Sequence, residues 1–202
     1  MLLTYVSWLL GILHLLPFST PSLLLIVAVF IFGNILFLLQ KRGKNKTGAD
    51  LVNWKLIAFE ELLFFAALAF WSYIKAHQPD VIGLEKYMDF GFINSILRSN
   101  YFPPLDLWLA KSPTYGGYFL NYYYFGHLAT AVLTKISGLN PATTFNLMLA
   151  TIFAFTFTCS FYIAVNLIHF GQFVKDKFKP TEKKSQGMFA KLTAFWNWLT
   201  SR

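Results

Sequence analysis

Long uncharged apolar runs constrain this chain more than any other feature of its sequence. Residues 23–39 (LLLIVAVFIFGNILFLL) and 144–170 contain no Asp, Glu, Lys or Arg, and residues 56–74 contain only Glu60 and Glu61. A helix needs about 20 mostly apolar residues to cross a bilayer. Residues 2–18 form a shorter apolar run, which lacks the basic start and cleavage site of a signal peptide. The sequence therefore predicts an all-α polytopic membrane protein with about four transmembrane helices, located in the cell membrane.

Basic side chains are segregated along the chain, and this segregation predicts the topology. Five Lys and Arg accompany one acid between the second and third runs, and seven accompany two acids after His169. Residues 77–143 carry four charged side chains of each sign. Lys and Arg accumulate in cytoplasmic loops, so both basic stretches are predicted to be cytoplasmic and residues 77–143 extracytoplasmic. This pattern explains the net charge of +8 and excludes nucleic acid as a partner.

Residues 122–138 leave two topologies open. As a fifth span, this segment would put the basic tail outside, against the charge bias. As an amphipathic helix at the outer interface, it keeps the tail inside, and its three leading tyrosines favour the headgroup layer. We predict four spans plus this interfacial helix.

Three segments follow from this topology. Residues 1–54 are predicted to form an N-terminal transmembrane pair with a cytoplasmic basic loop. Residues 55–170 form a module of one span, an outer loop with interfacial helices, and another span. Residues 171–202 form a basic cytoplasmic tail with an amphipathic helix. No nucleotide-binding or metal-binding motif occurs, so the sequence predicts no cofactor, and no ligand spacing supports a divalent metal.

The outer segment concentrates the charged chemistry. Asp89 lies near the start of a predicted helix, with Glu85 and Lys86 one turn before it and Arg98 at the other end. One interpretation of Asp89 is an N-terminal helix acid that interacts with the helix dipole. The other is a general base that accepts a proton from an acceptor hydroxyl while a cation neutralises a phosphate leaving group. Both interpretations stay open at this level.

Two further stretches carry polar and aromatic side chains. Residues 103–108 (PPLDLW) combine a rigid turn with an acid and an indole, and residues 121–127 (NYYYFGH) open the interfacial helix. Tyrosines at a membrane surface usually form an aromatic belt. Three in succession, preceded by Asn and followed by Gly and His, exceed what a belt requires and indicate a binding surface.

Four blocks in order, EKYMDFGFINSILRS, FPPLDLWLA, NYYYFGH and NPATTFNL, resemble the signature of the Chlor-Arch YYY-type membrane proteins, which contain a domain of unknown function. The resemblance covers about residues 57–168. That family is similar to the GT-C glycosyltransferases, which share an outer loop with a catalytic acid soon after a membrane helix. The resemblance implies a glycosyltransferase-like module that acts on a polyprenyl-phosphate-linked sugar at the outer membrane face.

The resemblance also implies residue roles. Asp89, with Glu85 as second choice, takes the place of the catalytic loop acid. The implied substrate-binding residues are Lys86 and Arg98 for the donor phosphate, and Asp106, Trp108, Asn121, Tyr122, Tyr123, Tyr124 and His127 for the sugar or lipid. The chain departs from the family pattern at Leu107 and Lys111, and family members have more spans. The alternative is therefore a non-catalytic fragment or subunit that binds lipid-linked sugar or a partner membrane protein, such as the remaining spans of a split protein.

Overall fold

Six α-helices make up the computed structural model, which describes residues 1–41, 54–109, 116–178, 191, 194–196 and 198. The helices are α1 (Leu2–Ile12), α2 (Thr20–Lys41), α3 (Trp54–Ala76), α4 (Leu84–Arg98), α5 (Phe125–Ser137) and α6 (Pro141–Phe178). Extended pairing within the described ranges is limited to one antiparallel bridge between Leu105 and Phe119. The prediction of an all-α fold is confirmed.

Three helices in the described part of the chain are long and apolar enough to cross a membrane. They cover Thr20–Gln40, Trp54–Ala76 and Pro141–Ile168. Large apolar side chains on these helices, such as Phe32, Phe65 and Phe155, are exposed on the protein surface. Apolar surface of this extent is stable in lipid and costly in water. The chain is a multi-pass membrane protein.

The described residues hold three candidate spans where four were expected, because the first apolar run does not form one continuous helix. Helix α1 has 11 residues and extends about 16 Å, roughly half of the ~30 Å hydrocarbon core. The run is interrupted after α1, where His14 has a φ of 56° and Pro17 follows. Helix α1 is therefore too short to cross the membrane, unlike the three candidate spans.

Helix α5 is also too short to span, since its 13 residues extend about 20 Å. The expectation that it lies at the outer interface stays a prediction, and the structure adds that one face of the helix packs inside the protein. Most of the middle of α5 is buried inside the protein: Leu128, Ala129, Thr130, Ala131, Val132 and Thr134. Helix α5 is a core element of its unit.

The described chain divides into two compact units, each assembled from two stretches of sequence. The first comprises residues 1–45 and 78–148, and the second comprises residues 46–77 and 149–202. Each unit thus joins residues that are far apart in the chain. The contiguous segments 1–54, 55–170 and 171–202 stay a prediction, and the compact units cut across them.

Aromatic packing holds the second unit together. The rings of Trp71 and Phe153 stack with their centroids 4.5 Å apart, and Phe64 packs on Phe155 at 4.8 Å. Near the other end of α3, Phe195 of the C-terminal segment packs on Phe59. Trp196 packs on Tyr162, and the other parts of the predicted amphipathic tail helix, apart from residues 191, 194 and 198, lie outside the described residues.

The first unit is built around α4 and α5. Ile93 and Ile96 of α4 and Leu128 and Val132 of α5 are almost fully buried. Helix α5 ends at Gly138, whose φ of 68° is the left-handed conformation that closes many helices. Helix α6 then begins at once, because Asn140 Oδ1 accepts the Ala142 N–H at 2.8 Å and caps its first turn.

The start of α2 is attached to the same unit. The Phe18 N–H donates to the Asn100 carbonyl at 2.6 Å. Lys135 Nζ donates to the Phe18 carbonyl at 2.6 Å and lies 4.6 Å from the centre of the Phe18 ring. The N-terminal end of α2 therefore lies with the polar segment that connects α3 and α6.

Candidate functional site

Helix α4 presents its two acids on one side. Glu85 and Asp89 are four residues apart, so they lie one above the other on the helix surface, and Phe92 continues the same face. Glu85 lies in the first turn of α4, where the helix dipole favours negative charge, and Asp89 lies one turn further along the helix. Glu85 is exposed and Asp89 is half-buried. The helix thus aims a carboxylate at its neighbour α5 while a second carboxylate stays in solvent.

Asp89 pairs with His127 across the α4–α5 contact. His127 Nε2 donates to Asp89 Oδ1 at 3.0 Å, although the two residues are 38 positions apart. The exposed fraction of the side chain is 17% for His127 and 39% for Asp89. The histidine is therefore enclosed by the protein, and the carboxylate remains open to a ligand.

The second ring nitrogen of His127, Nδ1, is buried and has no hydrogen-bond partner among the described residues. His127 therefore bonds to Asp89 through Nε2 alone and is suited to fix the orientation of the carboxylate.

Tyr122 and Tyr123 form a stacked pair beside this dyad. Their ring centroids are 4.0 Å apart, and the Tyr122 hydroxyl donates to the Tyr123 hydroxyl at 2.7 Å. The Tyr122 ring also packs on Phe92 at 5.3 Å. The hydrogen bond to Tyr123 raises the pKa of Tyr122 above its usual value, with smaller contributions from the negative charges of Asp89 and Glu85. The pair therefore lies within the electrostatic field of both acids.

The Phe92 ring contacts both Tyr122 and His127. Its ring meets His127 edge to face, with centroids 5.4 Å apart, and it is almost fully buried. We call the group formed by Glu85, Asp89, Tyr122, Tyr123 and His127, with Phe92 beneath it, the α4–α5 site.

Tyr124 does not belong to the α4–α5 site. Its hydroxyl accepts a hydrogen bond from Trp8 Nε1 at 3.0 Å, and its ring packs on Phe102 at 6.3 Å. Burial raises the pKa of Tyr124, and the hydrogen bond from Trp8 partly offsets that rise. The third tyrosine therefore attaches α1 to the unit. Trp8 was missed in the sequence analysis, because a single tryptophan in an apolar run carries no signal of a partner more than a hundred residues away.

The two predicted phosphate ligands lie in different places. Lys86 is half-buried and stands three residues before Asp89, on an adjacent part of the same helix surface. Arg98 is exposed at the last turn of α4. It is nine residues from Asp89, which is about 14 Å along the axis and on the opposite side of a helix with 3.6 residues per turn. Lys86 therefore lies beside Asp89 on α4, and Arg98 lies away from the α4–α5 site.

The loop residues have local roles in the structure. Asp106 Oδ1 accepts the backbone N–H of Trp108 at 2.7 Å, a turn that aspartate commonly stabilises. Trp108 and Asn121 are exposed. The loop is attached to α4 because Ser95 Oγ donates to the Leu105 carbonyl and because Leu107 packs over Gly91. Leu107, a departure from the family pattern, thus fills a contact on α4, whereas Lys111 lies outside the described residues.

The described part of the chain contains no cluster of metal-ligating side chains. Within residues 1–41, 54–109 and 116–178 and the described tail positions, no three His, Cys, Asp or Glu side chains come together as metal ligands. Lys135, the second cation near α5, is tied to Phe18, and burial lowers its pKa. Its role is to join α5 to α2.

The model of the uncharacterized membrane protein family DUF2298 matches residues 2–197. Because the match covers nearly the whole chain, the chain belongs to this family. No curated protein and no solved structure matches the chain.

Proposed function

We propose that this member of the DUF2298 family is a GT-C-like glycosyltransferase module that acts on a polyprenyl-phosphate-linked sugar at the outer membrane face. The observation that carries the proposal is the Asp89–His127 pair, with its 3.0 Å hydrogen bond and its partly exposed carboxylate. A general base has to be oriented by its neighbours and open to the substrate. Asp89 meets both conditions, whereas Glu85 is exposed on the first turn of α4.

Asp89 is the general base in this proposal, and His127 is its positioning residue. The hydrogen bond from His127 occupies Oδ1, so Oδ2 can accept a proton from the acceptor hydroxyl. The acceptor oxygen then forms a bond to the anomeric carbon of the sugar as the bond from that carbon to the phosphate oxygen breaks. The bonding electrons leave with polyprenyl phosphate, and the proton stays on Asp89 until water removes it.

The neighbouring side chains supply the remaining requirements. Lys86 is close enough along α4 to offset the negative charge that develops on the departing phosphate. The stacked Tyr122–Tyr123 pair offers an exposed aromatic face and two hydroxyls to a sugar ring. The chain segment that carries these groups lies between two candidate spans, Trp54–Ala76 and Pro141–Ile168, which supports a location at a membrane surface, where a polyprenyl lipid resides.

A transfer assay tests the proposal. Membranes containing the full chain would be supplied with radiolabelled polyprenyl-phosphate sugar, and incorporation of label into membrane acceptors would be measured for wild type, Asp89→Asn and Glu85→Gln. Loss of a positioned base typically reduces a rate by about 10²–10⁴-fold, so we expect that reduction for Asp89→Asn and a smaller one for Glu85→Gln. Asp106→Asn is the matched control, because Asp106 lies in a loop turn.

Retention of full activity by Asp89→Asn would contradict the assignment of the base, and full activity in both acid variants would contradict the enzymatic role of this loop. A second candidate function is a non-catalytic module that binds lipid-linked sugar. It is favoured by the exposed aromatic side chain of Tyr123 in the α4–α5 site. Saturable binding of the labelled donor by wild type without any transfer would select this alternative.

A further inference from the structure

We infer that α1 is embedded in the bilayer leaflet on the side of residues 77–143, with its exposed apolar face in contact with lipid acyl chains. The inference does not depend on the proposed transferase activity. It concerns a helix that is neither a span nor part of the α4–α5 site.

The two faces of α1 are inverted relative to a helix of a water-soluble protein. Leu2, Tyr5 and Leu9 lie on one side, at helical spacing, and are 70%, 50% and 37% exposed. The buried residues of α1 lie on the opposite side and are small or polar: Thr4, Ser7 and Gly11. A surface helix in water turns its apolar stripe towards the core. Helix α1 does the reverse.

Burial of small residues with apolar residues outside is how helices pack within membranes. Gly, Ser and Thr let neighbouring backbones and rings approach closely where lipid covers the outer face. Gly11 illustrates this, because an added Cβ would lie 2.5 Å from a ring carbon of Phe102. Ser7 satisfies its hydroxyl within α1 by donating to the Thr4 carbonyl at 2.9 Å. The inner face of α1, with its small residues, is therefore suited to close helix packing within a membrane.

The neighbouring helix α2 indicates that lipid covers the exposed face of α1. Helix α1 packs against α2, a candidate span, whose outward residues Leu24 and Leu25 are more than half exposed. Both of these packed helices therefore expose large apolar side chains. The segment Leu2–Ile12 contains no charged side chain that could match a water-soluble partner. Its extent of about 16 Å corresponds to one leaflet of the ~30 Å core.

The contacts of α1 select the leaflet. Trp8 donates to Tyr124, and the Phe102 N–H donates to the Gly11 carbonyl at 3.5 Å. Both partners belong to the polar segment between α3 and α6, which lies on one side of the membrane. Helix α1, which contacts α5, thus lies in lipid on the same side of the membrane as the α4–α5 site.

Spin-label accessibility tests this placement. The full chain with Cys159→Ser would be labelled at Tyr5→Cys or Leu9→Cys and reconstituted into liposomes of phosphatidylcholine and phosphatidylglycerol. Leu36→Cys on α2 is the lipid reference, and Asp80→Cys is the water reference. Oxygen concentrates in lipid, whereas a charged nickel chelate stays in water. We expect the oxygen-to-nickel accessibility ratio at positions 5 and 9 to match that at position 36.

Two results would overturn the inference. A ratio like that at Asp80 would place the face in water, and low accessibility to both reagents would show that protein covers it. A pair of substitutions gives a second readout in case a label disturbs folding. Leu9→Lys is expected to lower the yield of folded protein while Leu9→Met leaves it unchanged, because a charge in lipid is costly. Equal yields for the two variants would contradict a lipid-facing Leu9.

Discussion

Consecutive residues in the tyrosine run have different roles. Tyr122 and Tyr123 stack on the surface beside Asp89, whereas Tyr124 reaches the opposite way to Trp8. Tyr124 is the residue that precedes α5, which begins at Phe125. The sequence indicated that the run is more than an aromatic belt, but spacing alone does not determine which ring points where. Tyr122 and Tyr123 belong to the α4–α5 site, whereas Tyr124 joins α1 to the unit.

Removal of the Tyr124 hydroxyl tests its structural role. Tyr124→Phe leaves the indole N–H of Trp8 without its acceptor, so we expect a loss of about 0.5–1.5 kcal/mol in the free energy of unfolding. Tyr123→Phe is the matched control, because Tyr123 is 78% exposed and water can replace its hydrogen bond. Both would be measured by denaturant unfolding in detergent. An equal effect of the two substitutions would contradict the distinction.

The Asp89–His127 pair has an energetic signature that is separate from catalysis. Side chains in direct contact show coupling energies of about 0.5–3 kcal/mol in double-mutant cycles. We expect coupling in this range for Asp89→Asn combined with His127→Gln, measured by the same unfolding method. The pair Asp106→Asn and His127→Gln serves as the uncoupled reference. Additive effects of Asp89→Asn and His127→Gln would show that the hydrogen bond contributes nothing to the folded state.

At the scale of helices, the sequence predicts some elements well and others poorly for definite reasons. The three spans are evident because a long uncharged run has few alternatives to a membrane helix. Helix α4 is indicated by its apolar stripe, including Phe92, Ile93 and Ile96. The placement of α1 and the burial of α5 depend on partners distant in sequence, such as Phe102 against Gly11. The Asp89–His127 contact also joins residues that are distant in sequence. The sequence therefore identifies both residues as candidates but does not predict the hydrogen bond between them.

Two glycines in helices provide a matched test of the α1 contact. An added Cβ at Gly11 would clash with the buried Phe102 ring, whereas one at Gly33 of α2 would meet nothing within 4 Å. Overpacking typically costs about 1–3 kcal/mol, so Gly11→Ala should lower stability by that amount. Gly33→Ala should cause no loss, since Ala is the better helix former. Unchanged stability of Gly11→Ala, with thermal unfolding as the measurement, would contradict close packing of α1 on Phe102.

At the scale of the whole molecule, connectivity and charge favour the same topology. The contact between Phe18 and Asn100 puts the start of α2 on the side of residues 77–143. If each of the candidate spans in α2, α3 and α6 crosses the membrane once, we expect the two basic stretches of the sequence on the side opposite to residues 77–143. This agrees with the charge bias, which predicts a cytoplasmic location for them. The N terminus, however, lies with residues 77–143 in this arrangement, whereas four spans would have put it in the cytoplasm.

The position of the N terminus therefore distinguishes three spans from four. A peptide epitope fused ahead of Met1 should bind antibody on intact spheroplasts, because α1 stays on the outer side and does not cross. The same epitope fused after Arg202 should bind only after permeabilisation, since three crossings leave the C-terminal basic stretch inside. A cysteine at Asp80, on a Cys159→Ser background, should react with an impermeant maleimide from outside and calibrates the sidedness of the preparation. Protection of the N-terminal epitope in spheroplasts that label at position 80 would mean that residues 2–18 cross the bilayer. In that case the lipid-facing residues Leu2, Tyr5 and Leu9 would belong to a full span, and the contacts of Trp8 with Tyr124 and of Gly11 with Phe102 would have to break.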